Sequence, residues 1–435
     1  MNGARFVSGI FHGRLPGPEE QEADTIMTDR FCDTLLTNLR LADGGPDGRR
    51  IAIRHGRILE IVPSGSPDPN AQEVLDMQGD LLLPGLVDGH MHLDKTLFGL
   101  PWTPHQAEPS RLSRIETDQR LLPSLPLHTA GRAGHLLRRC VANGTAHVRT
   151  HADITPAFGL SALEGVLRAR DAHADSVTVQ VVAFPQGGVM RSGGVTVLEL
   201  LDAAIRAGAD LVGGIDPCEV DRDPKGQLDG IFTLAERHGV GVDIHLHEPG
   251  EMGLFSLQEI CARARASGMH GKVTISHGFC LGGISESKQK AAAEVMAVAG
   301  VSLVTHGAGS ATMPPLMLLR RAGVRVFCGN DDVRDTWSPY GNADMLARAS
   351  VIGWREDLRH DHLLHELFAM VSADGAAALG IEEYGIATGH PATFFTLSAE
   401  GVPEAIGNHP PRRRVFHKGR LVAMGGEWQA PDALP

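Results

Sequence analysis

Short apolar runs recur through the middle of this chain, each followed by a longer stretch with helical spacing, and this alternation constrains the fold more than any other feature. Residues 146–148, 177–184, 211–215, 242–246, 273–276, 301–305 and 324–328 read as buried strands. Residues 162–174, 197–207, 230–238, 257–267, 288–299 and 315–322 read as the helices between them. With the run 81–89 this makes about eight strand-and-helix units over roughly 300 residues, the count and length of a (β/α)8 barrel. An open doubly wound sheet is the alternative, but no Gly-x-Gly-x-x-Gly stands at a strand-to-helix turn.

The texture changes at both ends. Residues 34–38, 50–54 and 57–62 are short alternating strands, with a His55-Gly56 turn between the last two, and they predict a small antiparallel sheet. Residues 392–397 and 414–422 repeat the pattern. Chain ends often lie close together, so these segments are expected to pair into one companion domain. The expected organisation is α/β: a TIM-like (β/α)8 catalytic barrel over 86–385 and a small split β-sandwich from 31–85 and 386–435. A flexible extension over 1–30 precedes them, with Met27 as an alternative start.

Composition excludes several classes. Hydrophobic residues at 42% and charged residues at 21% suit a folded core rather than disorder. A net charge of -12 lacks the clustered Lys and Arg that phosphate binding requires, so neither nucleic acid nor an anionic membrane is an expected partner. No run approaches the roughly 18 apolar residues of a membrane span, and no basic region precedes an apolar core at the N-terminus, so the cytoplasm is the expected compartment. The six cysteines form no Cys-x-x-Cys pair and read as reduced, mostly buried thiols. A small heterocyclic molecule is the expected ligand, and self-association is left open.

Residues two apart in a strand point to the same side, so His90 and His92, where the run 81–89 ends, can face one ion. Alone, His-x-His is more often a packing or surface pair. In a barrel, however, the residues just past each strand share one rim, where active sites of this fold are built. His245 and Glu248 follow 242–244, His277 follows 274–276, and Asp331 and Asp332 follow 324–328. Three imidazoles and one carboxylate meeting there would give four ligands and leave a position for water. Glu248 would be placed to carry a proton, although His247 and Glu248 also suit an ordinary loop. His277 by itself is more often a core histidine, and an Asp pair can simply start a helix. Trp337 offers a flat wall for a ring. The Gln186 amide can donate and accept along a ring edge, or serve a turn. His360, His362 and His365 lack the His-Glu-x-x-His spacing and read as a solvated helix face.

Several segments together resemble the metal-dependent amidohydrolase superfamily and, within it, the cytosine deaminase-like branch, over Asp33 to Val422. They are Pro84-Gly85-Leu86-Val87-Asp88-Gly89-His90-Met91-His92-Leu93-Asp94-Lys95-Thr96, Val148-Arg149-Thr150-His151-Ala152-Asp153, Val182-Ala183-Phe184-Pro185-Gln186, His245-x-x-Glu248, Ser276-His277, and Asp331-Asp332 with Trp337. The resemblance implies that His90, His92, His245 and Asp331 bind one divalent metal ion per chain, zinc or iron. It implies that Asp331 helps take a proton from water, Glu248 shuttles protons, His277 hydrogen-bonds the attacking water, and Gln186 holds the ring edge. Asp332 and Trp337 match the substrate side, and Lys95 is assigned there with them. The implied reaction is hydrolytic deamination of a cyclic amidine such as cytosine, with release of ammonia.

The chain departs from that branch at three places. Lys95 replaces a small residue, His247 stands where an acidic residue is usual, and Asn330 precedes the Asp pair in place of histidine. Arg334-Asp335-Thr336-Trp337-Ser338-Pro339-Tyr340-Gly341-Asn342 with Thr312-Met313-Pro314-Pro315 is more similar to the triazine branch that removes alkylamine from isopropylammelide. The alternative reaction is therefore release of an alkylamine from a triazine, or opening of a cyclic amide. A non-catalytic metabolite-binding barrel is the alternative from another class. A two-metal enzyme would need a bridging carboxylated lysine or glutamate at a middle strand end, and Lys95 on the first strand's loop is poorly placed for that.

Overall fold

The computed structural model describes residues 30–45 and 48–429, so the expected extension over 1–30 lies outside the described residues except for Arg30. Four strands come first: β1 (Phe31–Leu41), β2 (Arg50–Arg54), β3 (Arg57–Val62) and β4 (Asn70–Pro84). The barrel strands follow: β5 (Leu86–Met91), β6 (Thr145–Asp153), β7 (Thr178–Phe184), β8 (Leu211–Ile215), β9 (Gly241–Leu246), β10 (Val273–His277), β11 (Val301–Thr305) and β12 (Val326–Cys328). Strands β13 (Phe394–Leu397), β14 (Arg414–His417), β15 (Arg420–Met424) and β16 (Glu427–Trp428) complete the set.

Strands β5 to β12 lie side by side in chain order, all parallel, with helices between them. Every residue of β5, β8, β10, β11 and β12 is buried, as parallel strands covered on both faces must be. The seam between β12 and β5 nearly closes the barrel through a bridge between Met91 and Asp331. Asn330 ties it further, donating from its backbone N at 2.9 Å and from Nδ2 at 2.6 Å to the buried Asp88 carboxylate. Gly89 is required at this seam, because a Cβ there would fall 2.3 Å from Phe327 Cδ2.

The apolar run before His90 is divided between two sheets. Leu81, Leu82 and Leu83 end β4 in the companion sheet, and the barrel begins after Gly85. The companion is one mixed sheet in the order β16-β15-β14-β13-β4-β1-β2-β3, with both chain ends contributing as expected. It is not purely antiparallel, since β1 pairs parallel with β4.

Several helices start earlier than their apolar spacing suggests, because capping sets the start. The helix Pro224–His238 has the Asp223 side chain accepting from Gly226 N, a proline in its first turn, and Gly239 at φ 70° closing it. All six cysteines are free. Among the described residues, no helix is long and apolar enough to cross a membrane.

Candidate active site

The barrel brings the expected donors together at the C-terminal ends of its strands. His90 Nε2 lies 3.3 Å and His92 Nε2 3.4 Å from Asp331 Oδ1, and His245 Nε2 lies 3.4 Å from His92 Nε2. All four side chains are buried or nearly so. Donor atoms within 4.8 Å of one another form overlapping groups, His90/His92/His151/His245, His90/His277/Asp331 and His92/Asp331/Asp332. The His90 Nε2 and His245 Nδ1 atoms are buried without a hydrogen-bond partner. Burial disfavours charged imidazole and holds His92 and His245 well below the usual histidine range, helped by Lys95 at the first ring and by His151 at the second. Neutral imidazole is the form that binds metal. For Asp331, burial pushes the other way, but the His90 and His92 rings beside it and the nearby His306 hold the carboxyl well below its usual range. An anionic oxygen, unprotonated imidazoles and orphaned buried nitrogens fit a divalent cation.

Packing fixes these donors. The His245 ring stacks on Phe184, with centroids 4.1 Å apart and planes inclined by 19°. Asp216, His277 and Asp331, just at or beyond the ends of β8, β10 and β12, adopt φ of 37°, 73° and 61°. That left-handed conformation is strained for non-glycine residues and is characteristic of functional loops.

Two donors had no assigned role in the sequence. His151, on β6, is fully buried with neither ring nitrogen hydrogen-bonded, and its Nε2 lies 3.5 Å from Asp243 Oδ1. His306 follows β11, and its Nε2 lies 3.6 Å from Asp331 Oδ2. Both occupy the strand-end positions that identified the others, and that signal was sufficient to find them.

A cavity of about 540 Å³ opens over the cluster, lined in part by His92, Lys95, Gln186, His247, Asp332 and Trp337. Lys95 Nζ lies 3.2 Å from Gln186 Oε1, 3.2 Å from Asp332 Oδ1 and 4.1 Å from the centre of the Trp337 ring. Burial opposes its charge, but the carboxylates of Asp332, Asp118, Asp335 and Asp94 outweigh burial and raise its pKa, so it remains an ammonium. Asp118, from the helix Arg111–Leu121, organises the same wall: Gln186 Nε2 donates to it at 2.8 Å, Trp337 Nε1 at 2.7 Å, and the Thr336 hydroxyl donates as well. Nothing in its helical sequence context marked it.

Glu248 sits apart from this wall and does not line the cavity. Its Oε1 accepts from Cys218 N at 2.6 Å and Glu219 N at 2.8 Å, and its other oxygen accepts from the Ser256 hydroxyl. The residue that does face the cavity is His247. Its Nδ1 lies 2.8 Å from Asp216 Oδ2, and its ring stacks on His277 at 4.4 Å. Burial would raise the Asp216 carboxyl, but His247 and Arg111 outweigh it and hold it low.

A model of the amidohydrolase family matches residues 73–423. The chain is 30% identical over 379 residues to the N-isopropylammelide isopropyl amidohydrolase of Pseudomonas sp. strain ADP, covering 86% of this chain and 93% of that one. Among solved structures, N-isopropylammelide isopropylaminohydrolase from Burkholderia multivorans superposes with a TM-score of 0.86 at 39% identity, over 92% of this chain and 100% of that one. The 5-methylcytosine deaminase of Klebsiella pneumoniae liganded with 5-fluorocytosine gives 0.79 at 27% identity, over 89% and 97%.

Proposed function

This chain belongs to the amidohydrolase family and is a metal-dependent hydrolase of carbon–nitrogen bonds other than peptide bonds, and we propose that it displaces an exocyclic amine from a planar heterocycle bearing ring carbonyls. Of the two leaving groups considered, ammonia from a cytosine-like ring and an alkylamine from a triazine, the alkylamine has the better support. The observation that carries it is the buried ammonium of Lys95, held between Gln186, Asp332 and Trp337. A fixed cation at a ring edge matches an oxygen that carries negative charge. A triazine with two ring carbonyls is an acidic ring and presents such oxygens, whereas cytosine has one carbonyl. The isopropylammelide enzymes are also the more similar of the relatives described.

His90, His92, His245 and Asp331 would hold one divalent ion, zinc or iron, which when bound supplies an acidified water and positive charge for the developing oxyanion. Asp331 accepts the proton that water gives up as its oxygen bonds to the ring carbon, and His277 hydrogen-bonds that oxygen. His247, its Nδ1 engaged by Asp216, has Nε2 free to protonate the departing nitrogen. The carbon–nitrogen bond breaks and the amine leaves with the added proton; the second proton of the added water moves to a ring nitrogen so that the ring keeps a carbonyl, and the proton taken up by Asp331 replaces the one His247 gave. Gln186, Lys95 and Trp337 hold the ring edge and face during this exchange.

The test offers N-isopropylammelide, ammelide, cytosine and 5-methylcytosine to zinc- and iron-loaded protein and measures isopropylamine and ammonia. The expected result is a kcat/KM for isopropylamine release at least about tenfold above that for any ammonia release. Preference for cytosine would return the deaminase reading, and no turnover of any of the four would overturn the proposed chemistry.

A further inference from the structure

Beneath the metal donors, inside the barrel, three buried polar side chains meet: Arg149 from β6, Asp243 from β9 and Ser276 from β10. The Ser276 hydroxyl donates to Asp243 Oδ1 at 2.6 Å and lies 2.9 Å from His90 Nδ1. A hydroxyl has one proton to give, and a carboxylate can only accept. With that proton committed to Asp243, the remaining contact requires His90 Nδ1 to be the donor and Ser276 Oγ the acceptor. The neutral ring then carries its hydrogen on Nδ1 and leaves Nε2 as a bare lone pair. His90 Nε2 is the buried atom without a hydrogen-bond partner, 3.3 Å from Asp331 Oδ1.

Asp243 is itself fixed from below. Arg149 Nη1 donates to its Oδ2 at 3.2 Å and to Thr274 Oγ1 at 3.1 Å, while the rest of the guanidinium bonds Gln180 Oε1 and the Ala378 carbonyl. The bonds thus converge on Asp243: the guanidinium and the Ser276 hydroxyl both donate to a carboxylate that can only accept, and the hydroxyl in turn accepts from His90.

We propose that Ser276 is a positioning residue of the metal centre: its hydroxyl, oriented by Asp243, holds His90 in the tautomer that turns an unprotonated Nε2 toward the cation. Ser276 touches neither substrate nor ion and acts through His90. Outer partners of ligating histidines fix ring orientation and tautomer, and their loss typically weakens metal binding by about 10- to 100-fold. If the hydroxyl served only to satisfy the buried carboxylate, its removal would lower stability and leave the affinity for the ion unchanged.

The experiment measures the zinc dissociation constant of the full chain by competition with a chromophoric chelator, and the visible spectrum of the cobalt-loaded protein, for the parent, Ser276→Ala and Ser276→Thr. Ser276→Ala is expected to bind zinc about 10- to 100-fold more weakly with shifted cobalt bands, and Ser276→Thr, which keeps the hydroxyl, to recover to within about threefold of the parent. Parent-like affinity and spectrum in Ser276→Ala would overturn the proposal, as would a Ser276→Thr protein as weak as Ser276→Ala. The thermal midpoint of each metal-free protein reports folding. Should Ser276→Ala not fold, Ser276→Cys replaces it: a thiol fills the same place but is a poorer hydrogen-bond partner, so weaker zinc binding supports the role and parent affinity defeats it.

Discussion

His247 and Glu248 are neighbours in sequence with different surroundings, and the difference follows from backbone direction at the end of β9. Past a strand, consecutive side chains leave the backbone in different directions, so a loop polar residue is not a site residue merely by standing near one. Glu248 satisfies two backbone N–H groups and Ser256, whereas His247 meets Asp216 at the cavity. Glu248→Gln is therefore expected to keep its metal and lose less than about tenfold in kcat while its thermal midpoint falls, since an amide cannot accept as many bonds as the carboxylate does. Asp216→Asn should also keep its metal, but lose about 10²- to 10⁴-fold in kcat by loosening the His247 proton donor. Metal content by elemental analysis with kcat for both variants checks the pair of outcomes, and the reverse ranking would restore Glu248 as the proton carrier. The proposed metal donors were legible in the sequence because each stands at or just past a strand end. Asp118 was not, because it reaches the site from the middle of a helix that sequence spacing does not aim anywhere.

At the scale of elements, the seam between β12 and β5 is held by few backbone bonds, and Asn330 compensates with side-chain ones. It caps both oxygens of Asp88, which is fully buried. Removing the Asn330 amide leaves one carboxylate oxygen without that donor, so Asn330→Ala should cost about 2–3 kcal/mol in urea unfolding of the metal-free protein. A loss below about 0.5 kcal/mol would mean that the seam does not depend on this contact. Strand positions were read well from apolar runs, since parallel strands buried on both faces carry little else. What the runs did not reveal was a change of sheet within one of them: Leu81 to Leu83 and Leu86 to Met91 look continuous, and only the pairing partners, β13 on one side and β6 on the other, separate them.

At the scale of the molecule, the join between barrel and companion sheet holds two histidines, His147 from β6 and His417 from β14, with ring centroids 6.5 Å apart beside Tyr384. Burial lowers His417 to about 4, with Lys418 adding to the effect, and lowers His147 to about 3, with His417 and Lys418 adding to it. Both folded-state values lie below the ordinary histidine value of about 6.5, so the unfolded chain takes up protons first. The stabilisation is complete above about pH 6.5 and is lost as the pH falls toward 4. For His417 alone the loss at pH 5 is roughly 2 kcal/mol. Urea midpoints between pH 7 and 5 should fall less steeply for His417→Gln than for the parent, and equal slopes would show that acid acts elsewhere. The sequence by itself determined the barrel and the union of the two chain ends, and it pointed to the strand-end residues now proposed as cation donors, because burial periodicity and strand-end position are local properties of the chain. Only the tertiary structure decided which polar groups face the cavity and how they are joined, since Asp118, Asp216 and Asp243 gain their partners from segments distant in sequence, through contacts of directed hydrogen bonds that no local pattern records.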